Sequence, residues 1–303
     1  DGFIDSPKGR VIAVGPELIG GVFSANIPAL PHLTIMRALL VKAACLGRVS
    51  RGEPLYLPLY CRTIEQVDPE LASCLAVLWW PSDDQAVEAA FLGGIDHLIA
   101  YGGDAALSAI RSRAPETLRA TWHGHRMGFA VVGRDALAGD LEYLCDRLAY
   151  DFTVFDQHAC LAPQAVYLED HPSVSAERFA RLLQKALARW AVELPARTLS
   201  VEEATRSRAA VDDAQLSEAM GLTETRVLSG DAISGVVMVA PDGVLAPTPL
   251  NRFVRVVPVS TLDDVLPHLE PVGRYLQCAA VAGVNDAFRR RLVRLGVTRL
   301  CPP

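Results

Sequence analysis

The first 150 residues alternate short apolar runs with helical patterns, and this rhythm restricts the possible folds more than any other feature of the chain. VIAVG (11–15) and GVFSANIP (21–28) bracket a first strand region. PHLTIMRALLVKAACLG (31–47) has helical spacing and ends on Gly47, a favourable helix stop. Two further helices are predicted in VDPELASCLAVLWW and PSDDQAVEAAFLGG. Asp68 caps the first, with Pro69 at its opening position; Ser82 or Asp83 caps the second, and Gly93 stops it. IDHLIAYGG then reads as a buried strand, DAALSAIRSRA as a helix, RMGFAVV as a strand and GDLEYLCDRLAYD as a helix. Strand and helix in this order predict an α/β fold, a mostly parallel sheet covered on both faces.

Beyond residue 150 the texture changes. AERFARLLQKALARWAVEL is a long charged helix, and EEATRSRAAVDDAQLSEAMG is polar enough to face solvent all round. VVMVAPDGVLAP reads as a hairpin turning at its Pro-Asp-Gly. The end of the chain returns to strand, helix and strand. The expected division is residues 1–150 and 151–303. The chain opens without methionine and stops at RLCPP, directly after a strand pattern, so both ends are expected to be cut.

Half of the 303 residues are hydrophobic, enough for a large core. The formal net charge is −6, which gives no basic footprint for nucleic acid or an anionic membrane. Apolar stretches such as ALLVKAACL are interrupted by charge and too short for a transmembrane span. The seven cysteines form no C-x-x-C pair or regular framework, which argues against disulfides and a structural zinc site. With a polar N-terminus unlike a signal peptide, the expectation is a cytoplasmic protein.

Chemistry concentrates at few places. Cys160, in FDQHACLAP, follows a polar run and precedes a proline that blocks regular continuation, a setting that presents a thiol. The other six cysteines lie in apolar patterns and read as core residues. Asn26 stands at a strand end before a proline-containing turn, where an amide can donate to an oxyanion or simply make the turn. Gly102 and Gly103 end a strand and open a helix, a junction at which a pyrophosphate can approach, although no G-x-G-x-x-G or phosphate-loop motif occurs. His123 and His125 lack a third ligand at sensible spacing, so no metal is expected.

Taken in order, SANIPAL, CLGRVSRGEP, IAYGGDAALSAIR, HGHRMGFAVV, FDQHACLAPQ and RYLQCAAVAG resemble the acyl-CoA reductase (LuxC-type fatty acid reductase) family, a branch of the aldehyde dehydrogenase superfamily. The resemblance covers nearly the whole chain. It implies an aldehyde-dehydrogenase-like fold, with a Rossmann-type dinucleotide-binding domain in 1–150 and an α/β catalytic domain in 151–303. Cys160 matches the nucleophile that takes an acyl group from a thioester, and Asn26 matches the oxyanion asparagine. Arg48-Val49-Ser50-Arg51 stands where the superfamily's K-P-S-E stretch holds the adenosine ribose. A guanidinium at Arg51 would grip a 2′-phosphate that a carboxylate would repel, which favours NADPH over NADH. Gly102 and Gly103 complete the expected cofactor site. HGHRMG stands near the place of the hydrolytic glutamate of oxidising members, with His123 roughly at that position; losing the glutamate suits a reductase. PLNRFVRVV offers no clear match to the second glutamate, and Asn251 and Arg252 receive no role. The implied activity is reduction of an acyl-CoA or acyl-carrier thioester to the aldehyde, in a homo-oligomer or a complex with an acyltransferase or ligase. Alternatives on the same fold are reduction of another activated acid or aldehyde, or a catalytically silent assembly partner.

Overall fold

The computed structural model describes residues 3–12, 14–228 and 235–303. Two compact units divide between His125 and Arg126, twenty-five residues before the boundary expected at 150. The reason is pairing: the strand and helix of residues 127–153 join the second sheet, although their local pattern continues that of the first.

The first unit opens with a small antiparallel pair, β1 (Ile4–Ser6) and β2 (Gly9–Val11). Then follow β3 (Leu18–Val22), α1 (Leu30–Leu40), β4 (Ala44–Arg48), α2 (Tyr56–Val67), α3 (Pro69–Ala72), β5 (Leu75–Leu78), α4 (Gln85–Gly94), β6 (His97–Tyr101), α5 (Asp104–Arg111) and β7 (Arg119–His123). The five larger strands form an all-parallel sheet in the order β5-β4-β3-β6-β7. Sequence and structure part in four places here. The helix expected through VDPELASCLAVLWW ends at Ala72, and Leu75–Leu78 pairs with β4 as β5 instead. The helix expected to run to Gly47 stops at Leu40, because Lys42 takes a left-handed φ of 61° and Ala43, Cys45 and Gly47 then alternate inward as a strand. The turn-rich stretch before Asp68 contains α2. The cap of α4 is Asp84, accepting from the Val87 N–H at 3.1 Å, in place of Ser82 or Asp83. Asp68 does cap α3 ahead of Pro69, accepting from the Leu71 N–H.

The second unit runs β8 (Met127–Val132), α6 (Arg134–Leu137), α7 (Leu141–Thr153), β9 (Pro163–Glu169), α8 (Ala176–Glu193), α9 (Val201–Ala219), β10 (Arg226–Leu228), β11 (Val236–Val239), β12 (Phe253–Val259), α10 (Val265–Leu269), β13 (Leu276–Ala282), α11 (Asp286–Arg294) and β14 (Arg299–Cys301). Its sheet has the order β10-β11-β12-β9-β8-β13-β14, parallel throughout except for β10. Side chains of β8 alternate between two cores: Ala130 and Val132 pack with Leu148, Phe152 and Leu183 of α7 and α8, while Met127, Phe129 and Val131 pack with Leu269 and Leu292 of α10 and α11. That covering on both faces is why the strand reads as an unbroken apolar run. α9 buries no residue, as its polarity requires, and starts on a Ser200–Glu203 capping box. The expected hairpin at Pro-Asp-Gly does not form. β11 pairs parallel with β12, and the intervening chain drops Leu245 into the core, so the turn serves a crossover loop.

Candidate functional site

Chain order places the loops after β3, β4, β5 and β6 at the carboxyl edge of the first sheet, with the chain running outward in one direction from β3 to β5 and in the other from β6 to β7. Such a reversal leaves a crevice between the diverging loops. A cleft of about 750 Å³ lies there, lined among others by Ser24, Ala25, Arg48, Ser50, Arg51, Trp80 and Gly102. The sequence-predicted cofactor residues Arg48, Ser50, Arg51 and Gly102 therefore converge; Gly103 follows as the N-cap of α5. The Arg48 guanidinium lies 4.9 Å from the Trp80 ring centroid and donates to the Trp80 carbonyl at 3.2 Å. Burial pulls its pKa below the ordinary arginine value, Glu88 raising it and Arg113 lowering it. Arg51 is exposed at the rim, and Glu53, two residues on, is turned away to accept from the Leu55 and Tyr56 N–H groups at the start of α2. A cleft of this size, with a solvent-facing guanidinium at the strand ends, fits the charge and bulk of a phosphorylated nucleotide.

Asn26 occupies the bend between β3 and α1, half-buried, and its Oδ1 accepts from Ser24 Oγ at 2.5 Å. That bond fixes the amide so that Nδ2 is its donating end. His123 stacks on Tyr101, with ring centroids 4.4 Å apart. Among the described residues no three His, Cys, Asp or Glu side chains are grouped to hold a metal ion.

In the second unit Cys160 is exposed, in the turn that precedes β9. Cys45, Cys145 and Cys278 are buried as expected, whereas Cys74 is also exposed, in the turn before β5. Desolvation raises the Cys160 thiol above its ordinary pKa; a hydrogen bond from its own backbone N–H and the charge of Arg126 act in the lowering direction. Desolvation by the surrounding turn thus outweighs the cation, which only partly compensates.

The backbone holding the cysteine was not foreseen. Phe155, Asp156 and Gln157 all have positive φ, as do Leu250, Asn251 and Arg252 just before β12. Among the described residues these are six of the seven non-glycine residues in that region. The two turns are joined: the Asn251 N–H donates to the Asp156 carbonyl at 2.9 Å, and Arg252 Nε donates to the Asp156 carboxylate at 2.6 Å. Gln157 Nε2 donates to the carbonyls of Pro163 and Phe253 at 3.0 and 3.1 Å, closing the cysteine loop across its base. Gly128 lets that loop approach β8, since a Cβ there would stand 2.6 Å from the Ala162 carbonyl oxygen. Arg252, left without a role by sequence, is 2 % exposed and central to this arrangement. The only signal for it was an arginine beside the apolar run FVRVV, too common a pattern to read.

The acyl-CoA reductase (LuxC) family model matches residues 5–303. The chain is 26 % identical over 271 residues to a long-chain acyl-protein thioester reductase of Vibrio harveyi, covering 87 % of this chain and 52 % of that protein. It is 25 % identical over 297 residues to the enzyme of the same description in Aliivibrio fischeri, covering 97 % and 58 %. It thus spans about half the length of the curated relatives it matches. Among solved structures, an aldehyde dehydrogenase from Brucella melitensis biovar abortus superposes with a TM-score of 0.77 at 12 % identity over 99 % of this chain and 64 % of that one. Lactaldehyde dehydrogenase from Escherichia coli superposes at 0.73 and 14 % identity, covering 99 % and 65 %. The fold is that of the aldehyde dehydrogenases.

Proposed function

Because the chain belongs to the acyl-CoA reductase (LuxC) family, we propose that it reduces a long-chain acyl thioester to the aldehyde through an acyl group held on Cys160. The observation that supports this best is an exposed cysteine at the head of β9, on a loop stapled at its base by Gln157. The Cys160 sulfur attacks the thioester carbonyl carbon, a C–S bond forms, and the tetrahedral oxyanion is met by the Cys160 N–H. Collapse breaks the donor's C–S bond, and the departing thiolate takes up the proton that the cysteine lost. A reduced nicotinamide, when bound, would supply a hydride to the acyl carbon, leaving a thiohemiacetal on Cys160. The bond to Cys160 then breaks, aldehyde leaves, and the thiolate takes a proton from solvent.

The nicotinamide nucleotide is assigned to the cleft at the β3–β6 strand ends, with Arg48 and Ser50 beside the ribose and Gly102 and Gly103 giving close approach at α5. Arg51 favours NADPH. The relatives are long-chain acyl-protein thioester reductases, which favours an acyl-protein donor over acyl-CoA and implies a protein partner that carries the acyl group. Mass spectrometry of the intact protein after exposure to a long-chain acyl thioester, without nucleotide, tests the reading: wild type gains one acyl mass at Cys160 and Cys160→Ser gains none. Equal labelling, or equal aldehyde formation with NADPH, in Cys160→Ser would refute it.

A further inference from the structure

The cysteine loop follows three successive left-handed residues, none of them glycine, a backbone that L-residues avoid and adopt only where surrounding contacts hold them. The holding contacts meet at one carboxylate. Asp156 accepts from Arg252 Nε at 2.6 Å and from the Arg197 backbone N–H at 3.2 Å, while Arg252 Nη2 reaches the Leu194 carbonyl at 2.7 Å. Three segments far apart in sequence are thereby tied together: the cysteine turn, the turn before β12 and the linker between α8 and α9. Asp156 is 7 % exposed and Arg252 2 % exposed. Gly235, with φ 93°, gives Arg252 its room, for a Cβ there would stand 2.6 Å from the Arg252 backbone oxygen.

We propose that Asp156 and Arg252 are positioning residues for the thiol: their buried ion pair locks the two left-handed turns together and so fixes where Cys160 stands at the amino end of β9. An apolar pair of the same volume would fill the space as well and often with better stability. It could not specify both turns at once, because the carboxylate and the guanidinium fork each bind backbone groups as well as one another. The proposal builds on Cys160 being the acyl acceptor. The charged and titratable groups around the turns are His158, Arg126, Arg197, Glu203 and the pair itself. Arg197 ion-pairs with Glu203, whose carboxyl is held down at about 2, mainly by that bond.

The test uses Asp156→Asn and Arg252→Lys in the intact chain, with two readouts at Cys160: the rate of acyl adduct formation from a long-chain acyl-CoA, and the pH profile of alkylation by iodoacetamide, resolved by peptide mass spectrometry. Asp156→Asn is expected to slow acylation tenfold or more and to move the alkylation midpoint to higher pH, as the thiol leaves Arg126 and its own N–H. Arg252→Lys, which keeps the charge, is expected to recover part of both, and alkylation of exposed Cys74 is expected to stay unchanged throughout. Wild-type acylation and midpoint in a cooperatively folded Asp156→Asn would overturn the proposal. Should the variants fail to fold, amide exchange in the wild type decides: the Asn251 and Arg197 amides must exchange as slowly as those of β9, and loop-like exchange sinks the latch. A wild-type chain that alkylates at Cys160 but never acylates there overturns the acyl-enzyme reading, while the shift in alkylation midpoint still decides the latch.

Discussion

At the scale of single residues, two titrating groups carry opposite lessons about burial. The Cys160 thiol has a raised pKa, so its reactive thiolate fraction grows as pH rises through a value above the ordinary cysteine pKa of about 8.5. The rate of acyl transfer to Cys160 should therefore still be climbing at pH 9, and a rate already flat between pH 7 and 8 would show the thiol to be ionised by something else. Asp151, on α7, is a cost of folding. Desolvation lifts its carboxyl to about 6, with Arg147 acting the other way. A carboxyl raised on folding prefers its protonated form in the folded chain. Its penalty is absent below pH 4 and fully developed above pH 6. Because Asp151 is only half-buried, solvent screening reduces the effect, and Asp151→Asn should raise stability at pH 7 by about 1–2 kcal/mol and leave it unchanged at pH 3, as read from denaturation midpoints at the two values.

At the scale of elements, the cysteine loop depends on a glycine in its neighbouring strand and an amide at its base. Gly128→Ala places a methyl carbon against the Leu161 and Ala162 carbonyls, which are backbone and cannot rotate aside. Overpacking of this kind costs about 1–3 kcal/mol, and the displaced loop should lose at least tenfold in Cys160 acylation while the melt stays cooperative. Gln157→Glu removes both donors from the Pro163 and Phe253 carbonyls and sets a carboxyl against them, so a loss of about 2 kcal/mol or more is expected in chemical denaturation. Much of the element plan was legible. Strands β6, β8 and β13 and helices α5, α7, α8 and α11 stand where hydrophobic period and caps put them, because each carries its own signal within about ten residues. The junction of α1 and β4 was hidden because ALLVKAACLG is apolar at both periods. The false hairpin arose because Pro-Asp-Gly specifies a turn but not the partner of the strand after it. Cys160 was visible from its polar neighbours, whereas the Asp156–Arg252 pair bridges ninety-six residues and leaves no local trace.

At the scale of the whole molecule, the two units carry different chemistry at opposite ends of their sheets. The first gathers its cleft at the carboxyl ends of parallel strands, where helix starts and loop N–H groups favour anions. The second presents its thiol at the amino ends of β9 and its neighbours, where Arg126 and Arg252 directly precede β8 and β12. Because the described residues that line the cleft all belong to the first unit, nucleotide preference and acyl acceptance should be separable by mutation. Arg51→Glu replaces a cation at the cleft rim by a carboxylate, which repels a 2′-phosphate and leaves a 2′-hydroxyl bindable. The variant should lose at least tenfold in affinity for NADPH but little for NADH, read as a smaller thermal shift with the former alone, since ligand binding to the folded state raises apparent stability. Its acyl labelling at Cys160 in the absence of nucleotide should match wild type, and Cys160→Ser should give the converse, an unchanged NADPH shift with no acyl adduct. An Arg51→Glu protein that binds both nucleotides as before would remove the basis for NADPH preference. One that labels slowly without nucleotide would show that the thiol depends on the nucleotide unit for more than hydride.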